Sequence, residues 1–321
     1  MPRPDLSIIL VTPDCYETIR KTIHSLREQT VRDRLEIVIV APSERTLCPV
    51  EKELEGFHSV RVIEFGEIQT LSAPRAAAIR AASAPLVALG EDHGFPDPRW
   101  AQALIEAHRQ PWAAVGPAFT NGNPGVMSWI SLVMDYGRWL KPVVGGVTDD
   151  VPGHNSSWRR ALLLEYGSAL ERMMQAPTLM HWDMQAKGHQ LYLEPAAKVH
   201  HVNITRLASF VPDHFYGARV FAAARAQNWP LAQRLFYAGG NLFLMPRTLR
   251  GWLGHIHRTG LESELLPKAW PLLLLSLAVW TLGEMIGYGL GMGRAEQRTL
   301  NFDARRERHL SRRDRELLAP H

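Results

Sequence analysis

The side chains best suited to metal binding or catalysis are in Gly90-Glu91-Asp92-His93, where two carboxylates and an imidazole occupy three consecutive positions. They follow residues 86–89, a short apolar run that predicts a buried strand. Ligands of open α/β sheets bind at the carboxyl ends of strands, and a divalent cation held there can bind a diphosphate. Oxygen ligands suit Mg²⁺ or Mn²⁺, and an imidazole shifts the preference toward Mn²⁺. Taken alone, such a triplet is more often a solvated polar turn.

Alternating apolar and amphipathic stretches predict the elements that position this triplet. Residues 6–11, 35–40 and 60–65 are apolar runs of strand length. Asp14 is predicted to cap a first helix, and residues 74–82, opened by Ser72, predict a helix that leads into the strand at 86–89. Strands that alternate with helices indicate an α/β layer with a mainly parallel sheet.

Composition limits the class of protein. The chain has 321 residues, of which 46% are hydrophobic, and a formal net charge of +4, so it is globular rather than disordered. Basic residues concentrate toward the C-terminal end and form no nucleic-acid-like stripe, which leaves phosphates or lipid headgroups as anionic partners. Cys15 and Cys48 are the only cysteines, so we expect no disulfide framework and a reducing compartment. Residues 1–5 lead directly into a strand, without a recognisable export signal.

The C-terminal third carries a different pattern. Residues 269–292 are almost wholly apolar and approach the length of a membrane span, but Glu284 interrupts them. Arginines lie on both sides of this segment, which favours a helix lying on an anionic cytoplasmic leaflet over one that crosses it. A soluble packing helix is the alternative. We therefore expect peripheral or monotopic association with the cytoplasmic face of the cell membrane.

Six segments, in order along roughly the first 205 residues, are typical of one enzyme family. They are Ser7-Ile8-Ile9-Leu10-Val11-Thr12-Pro13-Asp14; Gln29-Thr30; Pro74-Arg75-Ala76; Glu91-Asp92-His93 with Pro96-Asp97-Pro98-Arg99-Trp100; Gly153-His154-Asn155-Ser156-Ser157-Trp158-Arg159-Arg160; and Gly188 with residues 195–201. In these segments the chain resembles the family-2 glycosyltransferases of GT-A fold. Each match is weak alone, but six matches in register are not.

The resemblance implies a GT-A nucleotide-diphospho-sugar transferase fold, with a mainly parallel central sheet flanked by helices and a helical C-terminal extension. Glu91-Asp92-His93 takes the place of the family's Asp-x-Asp, so Glu91 and His93 are implied metal ligands for Mn²⁺ or Mg²⁺, and His201 is an additional one. The implied substrate-binding residues are Thr12, Pro13, Asp14, Arg75, Asp92, Asn155 and Arg160.

Two departures from the family pattern concern the nucleoside and the general base. Residues 39–43, after the second strand, lack the aspartates that usually touch the nucleobase or ribose. The family's Glu-Asp pair, whose Asp acts as the general base, would fall on Ala176 and Pro177. An inverting transfer still needs a group that removes the acceptor proton. Nearby candidates are Asp183, then His181, with Glu171 a further one.

The expected function is metal-dependent transfer of a sugar from a nucleoside-diphosphate sugar to a glycan or lipid-linked acceptor, with inversion. We predict a transferase domain over residues 1–205 and a helical region over 206–321. The missing Glu-Asp pair keeps open a second hypothesis, a non-catalytic glycosyltransferase-like protein that binds a ligand or supports a membrane assembly. A sugar nucleotidyltransferase is disfavoured because no glycine-rich basic loop follows the first strand.

Overall fold

A computed structural model describes residues 3–318, which divide into two compact units. The first unit comprises the chain up to Thr120 together with Val143–His200, and the second comprises Asn121–Pro142 and the residues from His201 onward. Residues 121–142 thus belong to the same unit as the C-terminal part of the chain. The predicted domain boundary at residue 205 stays a prediction. The strands are β1 Leu6–Val11, β2 Leu35–Ala41, β3 Ser59–Glu64, β4 Leu86–Leu89, β5 Gly94–Pro96, β6 Ala114–Asn121, β7 Gly146–Thr148, β8 Ser157–Arg159 and β9 Leu191–His201.

These strands form one mixed sheet in the order β3-β2-β1-β4-β8-β6-β9-β5, with β7 paired to β9. The pairs β3-β2, β2-β1 and β1-β4 are parallel, whereas β8 runs antiparallel to both β4 and β6. All residues of β2 and β4 are buried, as the continuous apolar runs predict for strands covered on both faces. The predicted GT-A-like architecture of a mainly parallel sheet flanked by helices is confirmed.

Helices connect and cover the strands. Those preceding β9 are α1 Tyr16–Arg27, α2 Glu44–Leu47, α3 Glu51–Leu54, α4 Ser72–Ala81, α5 Trp100–Ala107, α6 Val126–Tyr136, α7 Arg160–Leu164, α8 Leu170–Gln175 and α9 Pro177–Ala186. Those following it are α10 Leu207–Arg225, α11 Leu231–Gly240, α12 Met245–Arg258, α13 Glu262–Leu290, α14 Ala295–Asp303 and α15 Arg312–Leu317. The remaining turns of helix are 3₁₀ segments at Arg32–Arg34, Gly137–Trp139, Gly167–Ala169, Asn241–Leu244 and Arg306–His309.

The first helix differs from its prediction at the N-terminus. Its N-cap residue is Cys15, whose side chain makes no capping hydrogen bond, rather than Asp14. The backbone N–H of Asp14 instead donates to Thr12 Oγ1 over 3.3 Å. The hydroxyl of Thr12 thus stabilises the turn after β1. Ser and Thr side chains commonly form such local hydrogen bonds with the main chain of a turn.

The second unit is built around α13, which packs against α10 and α11. Gly283 and Gly287 allow the close approach to α10, because a Cβ on either glycine would lie 2.5 Å from a main-chain carbonyl oxygen of that helix. Arg219 and Arg234 donate to the carbonyl oxygens of Gly291 and Tyr288, at 2.9 and 2.8 Å. Guanidinium groups placed on the last carbonyls stabilise the C-terminal end of a helix.

Glu284 faces a neighbouring segment rather than solvent. Its carboxylate accepts a hydrogen bond from Asn241 Nδ2 at 2.6 Å, and burial raises its pKa. Among the described residues, α13 is the one helix long and apolar enough to cross a membrane, judged by length and composition alone, and 33% of its apolar window is buried. One side of α13 is therefore committed to contacts within the protein.

Candidate active site

The loop after β4 places Glu91 at the centre of a buried polar cluster. Its Oε1 accepts from Asn155 Nδ2 at 2.8 Å, and its carbonyl oxygen accepts from Thr22 Oγ1 at 2.6 Å. Asn155 adopts a left-handed backbone conformation with φ 57°, which Asn tolerates better than most residues. Gly94 makes room for it, since a Cβ there would lie 2.6 Å from Asn155 Nδ2. Glu91 is therefore held at its side chain by Asn155 and at its main chain by Thr22.

Two histidines, His93 and His201, direct their Nε2 atoms toward this cluster, because each Nδ1 contacts another protein group. The Nδ1 of His93 contacts Asp92 Oδ1, and the Nδ1 of His201 lies 2.7 Å from Asn203 Oδ1. A carboxylate oxygen can only accept, and the Asn203 amide directs its Nδ2 to other acceptors, so each Nδ1 carries a proton. In a neutral ring protonated at Nδ1, the lone pair that can coordinate a metal is on Nε2, an arrangement usual for metal-binding histidine.

Glu91, His93 and His201 form a group that fits a divalent cation. One ligand atom of each residue lies within 4.8 Å of the others, and all three residues are buried. Ligand atoms of a single ion lie within about 5 Å of one another, because each metal–oxygen bond is about 2.0–2.6 Å long. His201 is the last residue of β9, so the sheet itself carries it to the group. In addition, His93 Nε2 lies 2.7 Å from Glu91 Oε2, so these two candidate ligand atoms converge on one point.

Arg75 joins the group through a histidine that sequence reasoning did not select. Arg75, buried in α4, donates from Nη2 to His154 Nε2 at 2.8 Å. Because guanidinium cannot accept, the proton of a neutral His154 resides on Nδ1, which lies 3.3 Å from Glu91 Oε1. The signal was present in the sequence, since His154 stands beside Asn155 in the glycine-asparagine motif.

The remaining predicted substrate-binding residues occupy two places. Thr12, Pro13 and Asp14 follow β1, and the Glu91 loop follows β4, so both loops lie at the same edge of two adjacent parallel strands. Arg160 lies apart from the buried group, where it donates to the carbonyl oxygens of Ile79 and Arg80 at 2.8 and 2.6 Å at the end of α4. Its predicted contact with substrate stays a prediction.

The two leading candidates for the general base lie in α9 and have protein partners. His181 is fully buried, with Nδ1 2.6 Å from Asp150 Oδ1 and Nε2 accepting from Trp158 Nε1 at 3.1 Å. Both of its ring nitrogens are therefore engaged in this conformation. Asp183 Oδ2 accepts from Tyr166 at 2.7 Å and pairs with Lys187 at 2.7 Å.

The two partners of Asp183 also change its basicity. Partial burial acts to raise the pKa of Asp183, but the hydrogen bonds from Lys187 and Tyr166 outweigh it and leave the pKa below its ordinary value. A lowered pKa weakens a carboxylate as a proton acceptor. The catalytic roles of His181 and Asp183 stay predictions.

Comparison with known families identifies the class of protein. A family model described as "Glycosyl transferase family 2" matches residues 7–167, half of the chain, and this range includes all of β1 but its first residue, the Glu91 loop and the Asn155 loop. This chain belongs to glycosyl transferase family 2 and is a glycosyltransferase. No curated protein matches it.

Solved structures are similar to this chain at low sequence identity, and the two with a TM-score above 0.5 agree with its fold. The mannosyltransferase PcManGT from Pyrobaculum calidifontis, in complex with GDP-Man and Mn²⁺, is 16% identical with a TM-score of 0.54, covering 91% of this chain and 88% of that chain. GalNAc-T7 with UDP, GalNAc and Mn²⁺ is 14% identical with a TM-score of 0.52, covering 74% and 50%. TarS 1-349 from S. aureus, in complex with UDP-GlcNAc, is 16% identical with a TM-score of 0.44, covering 88% and 90%.

Proposed function

We propose that this glycosyltransferase uses a nucleoside-diphosphate sugar whose diphosphate binds beside Glu91, His93 and Arg75. The observation that carries the proposal is the convergence of Glu91, His93 and His201 within 4.8 Å, next to a buried arginine held by His154. A cation site and a guanidinium together match the two negative groups of a diphosphate. The structures of PcManGT, in complex with GDP-Man and Mn²⁺, and of GalNAc-T7, with UDP, GalNAc and Mn²⁺, support the same assignment.

The cation is proposed to be Mn²⁺ or Mg²⁺, held by Glu91, His93 and His201. Bound there, it would supply positive charge to the diphosphate oxygens as they leave. Arg75 stabilises the same developing charge with a fixed, planar set of donors. Two imidazole ligands favour Mn²⁺ over Mg²⁺, because nitrogen donors suit transition metals better.

The proposed reaction is a single displacement with inversion. An acceptor hydroxyl oxygen attacks the anomeric carbon, the bond from that carbon to the diphosphate oxygen breaks, and the hydroxyl proton passes to a base. Asp183 is the first candidate for this base and His181 the second. Asp183 is the better candidate because its side chain is 36% exposed, whereas His181 is wholly enclosed by Trp158 and Asp150.

The proposed acceptor is a glycan or a lipid-linked molecule, and the proposed location is the cytoplasmic face of the cell membrane. The support is the long apolar helix α13 with arginines on both sides of it in the sequence. A polysaccharide or cell-envelope product would fit such a location.

Calorimetric binding of UDP, GDP, CDP and ADP, with and without Mn²⁺, tests the donor site. We expect one nucleotide to bind only with Mn²⁺ and to lose that binding in His93→Ala. His200→Ala is the matched control, because His200 is the neighbour of His201 but pairs with Asp97 at 2.6 Å instead of joining the group. Equal binding by His93→Ala and the unchanged protein would refute the proposed site.

A non-catalytic, ligand-binding function is the second candidate, and one observation favours it. The Glu-Asp positions hold Ala176 and Pro177, and Asp183 and His181 are bonded within the protein. Under this alternative the nucleotide binds with Mn²⁺, but no nucleoside diphosphate is released from any nucleotide sugar. Release that disappears in Asp183→Asn would exclude it.

A further inference from the structure

An unusual charge distribution distinguishes the middle of the second unit. Residues 214–261 contain no Asp or Glu, although acidic residues make up 32 of the 321 in the chain. The same 48 positions carry six arginines, so the segment has a local charge of +6 with histidine neutral. Such a run, between Asp213 and Glu262, repels cationic partners and attracts anionic ones.

The same segment exposes large apolar side chains. They concentrate in α11 and in the 3₁₀ turn that follows it: Leu231, Leu235, Phe236, Leu242, Phe243 and Leu244. Phe236 is 74% exposed and Phe243 is 85% exposed. Soluble monomers seldom expose so many large apolar side chains close together, and such concentrations commonly mark interaction surfaces.

Basic residues follow the apolar set directly. Arg247 and Arg250 are exposed on α12, whose sequence Met245–Arg258 includes no acidic residue. Exposed Phe and Leu beside Arg form the pattern of an element that lies in a bilayer interface. A second copy of this chain fits less well, because a two-fold contact between these surfaces would bring like charges together.

One face of the long apolar helix α13 packs against α10 and α11. Gly283, Gly287 and Tyr288 of α13 are buried against α10 and α11, and Glu284 bonds Asn241 at the start of the exposed 3₁₀ turn. The buried face of α13 therefore supports α11 and the turn that follows it, whereas Leu274 and Leu282 on its other face are exposed. Glu284 in the apolar run serves to hold that turn.

We infer that α11, the 3₁₀ turn Asn241–Leu244 and the exposed arginines of α12 form a docking surface for an anionic phospholipid bilayer. Phe236 and Phe243 enter the acyl boundary, while Arg247 and Arg250 contact headgroup phosphates. This inference rests on the membrane location proposed above and assigns the contact with the bilayer to residues 231–250. It is independent of the nucleotide site.

Vesicle flotation of the full chain tests the inference, with phosphatidylcholine vesicles and with equimolar phosphatidylcholine and phosphatidylglycerol. We expect binding to the anionic vesicles only, with release at high salt. The double variant Phe236→Ser, Phe243→Ser should bind at least about tenfold more weakly for each phenylalanine replaced. Arg247→Gln and Arg250→Gln should each weaken binding about fivefold.

The matched control is Val144→Ser, Val147→Ser, because these valines are 90% and 61% exposed but lie in the first unit. It should float like the unchanged protein. Thermal melting and nucleotide calorimetry show whether each variant is folded and whether the donor site is intact, which separates failure of docking from failure of the proposed function. Flotation of the phenylalanine variant at the unchanged level, no flotation of the unchanged protein, or equal flotation with neutral vesicles would overturn the inference.

Discussion

Replacing Asp92 by alanine should weaken Mn²⁺ binding without removing a proposed ligand. Asp92 contacts His93 Nδ1, and their side chains are only 5% and 3% exposed, so water cannot replace the lost acceptor. A hydrogen bond to a charged group contributes about 1.5–3 kcal/mol, and its loss frees the ring to turn or to protonate Nε2. Loss of such a support typically costs 10–100-fold in metal affinity, or about 1.4–2.7 kcal/mol.

The control uses the same kind of contact outside the group. Asp97 pairs with His200 at 2.6 Å, but the His200 side chain is 50% exposed, so water can replace the carboxylate. We expect Asp97→Ala to leave the Mn²⁺ affinity unchanged. Asp92→Asn, which keeps an oxygen acceptor without the charge, should recover part of the affinity, because a neutral hydrogen bond is about half as strong as a charged one. Calorimetry and the electron paramagnetic resonance signal of free Mn²⁺ measure the constants, and a folded Asp92→Ala protein with unchanged affinity would refute the reasoning.

Three further predictions concern other contacts. His154→Ala should weaken the Mn²⁺-dependent binding of the nucleotide about tenfold in calorimetry, because Arg75 loses its hydrogen-bond acceptor. His154→Gln should restore most of this affinity. Burial, with a nearby guanidinium, lowers the pKa of His108 to about 4 from 6.5, so only the unfolded chain binds this proton between these values. The contribution of His108 to the free energy of unfolding is therefore fully present above about pH 6.5 and decreases by up to about 3 kcal/mol toward pH 4. Denaturant titrations of His108→Gln should lack this part of the pH dependence. Gly283→Ala should lower the free energy of unfolding by about 1–3 kcal/mol, whereas Gly289→Ala, with no neighbour within 4 Å of its Cβ, should cost less.

The strands of the first half could be predicted because their signal is local. Apolar runs bounded by turns gave β1 and β4 at the observed residues, Leu6–Val11 and Leu86–Leu89. The short strands β5, β7 and β8 have three residues each, and no periodicity can be read from three residues. Their place in the sheet depends on pairing with distant strands, which a local pattern does not encode.

The site was predictable in part for the same reason. Glu91 and His93 are neighbours in sequence, so their chemistry is visible in a single triplet, while His201 was connected to them only by family resemblance. The supporting residues are harder to find, because their roles depend on contacts across long separations. Asn155 reaches Glu91 across 64 positions, and Asp150 reaches His181 across 31.

These supports also explain how the chain can use ligands that differ from the family's Asp-x-Asp. Glutamate has one more rotatable bond than aspartate, so an unsupported Glu91 would lose more side-chain entropy on binding an ion. Here Asn155 donates to Oε1 at 2.8 Å, and the Nδ1 contacts of both histidines determine which nitrogen faces the group. Because the ordering cost is met when the protein folds, the replacement of both outer aspartates need not weaken the site. Asn155→Ala should therefore reduce the Mn²⁺ affinity although Asn155 is not a proposed ligand.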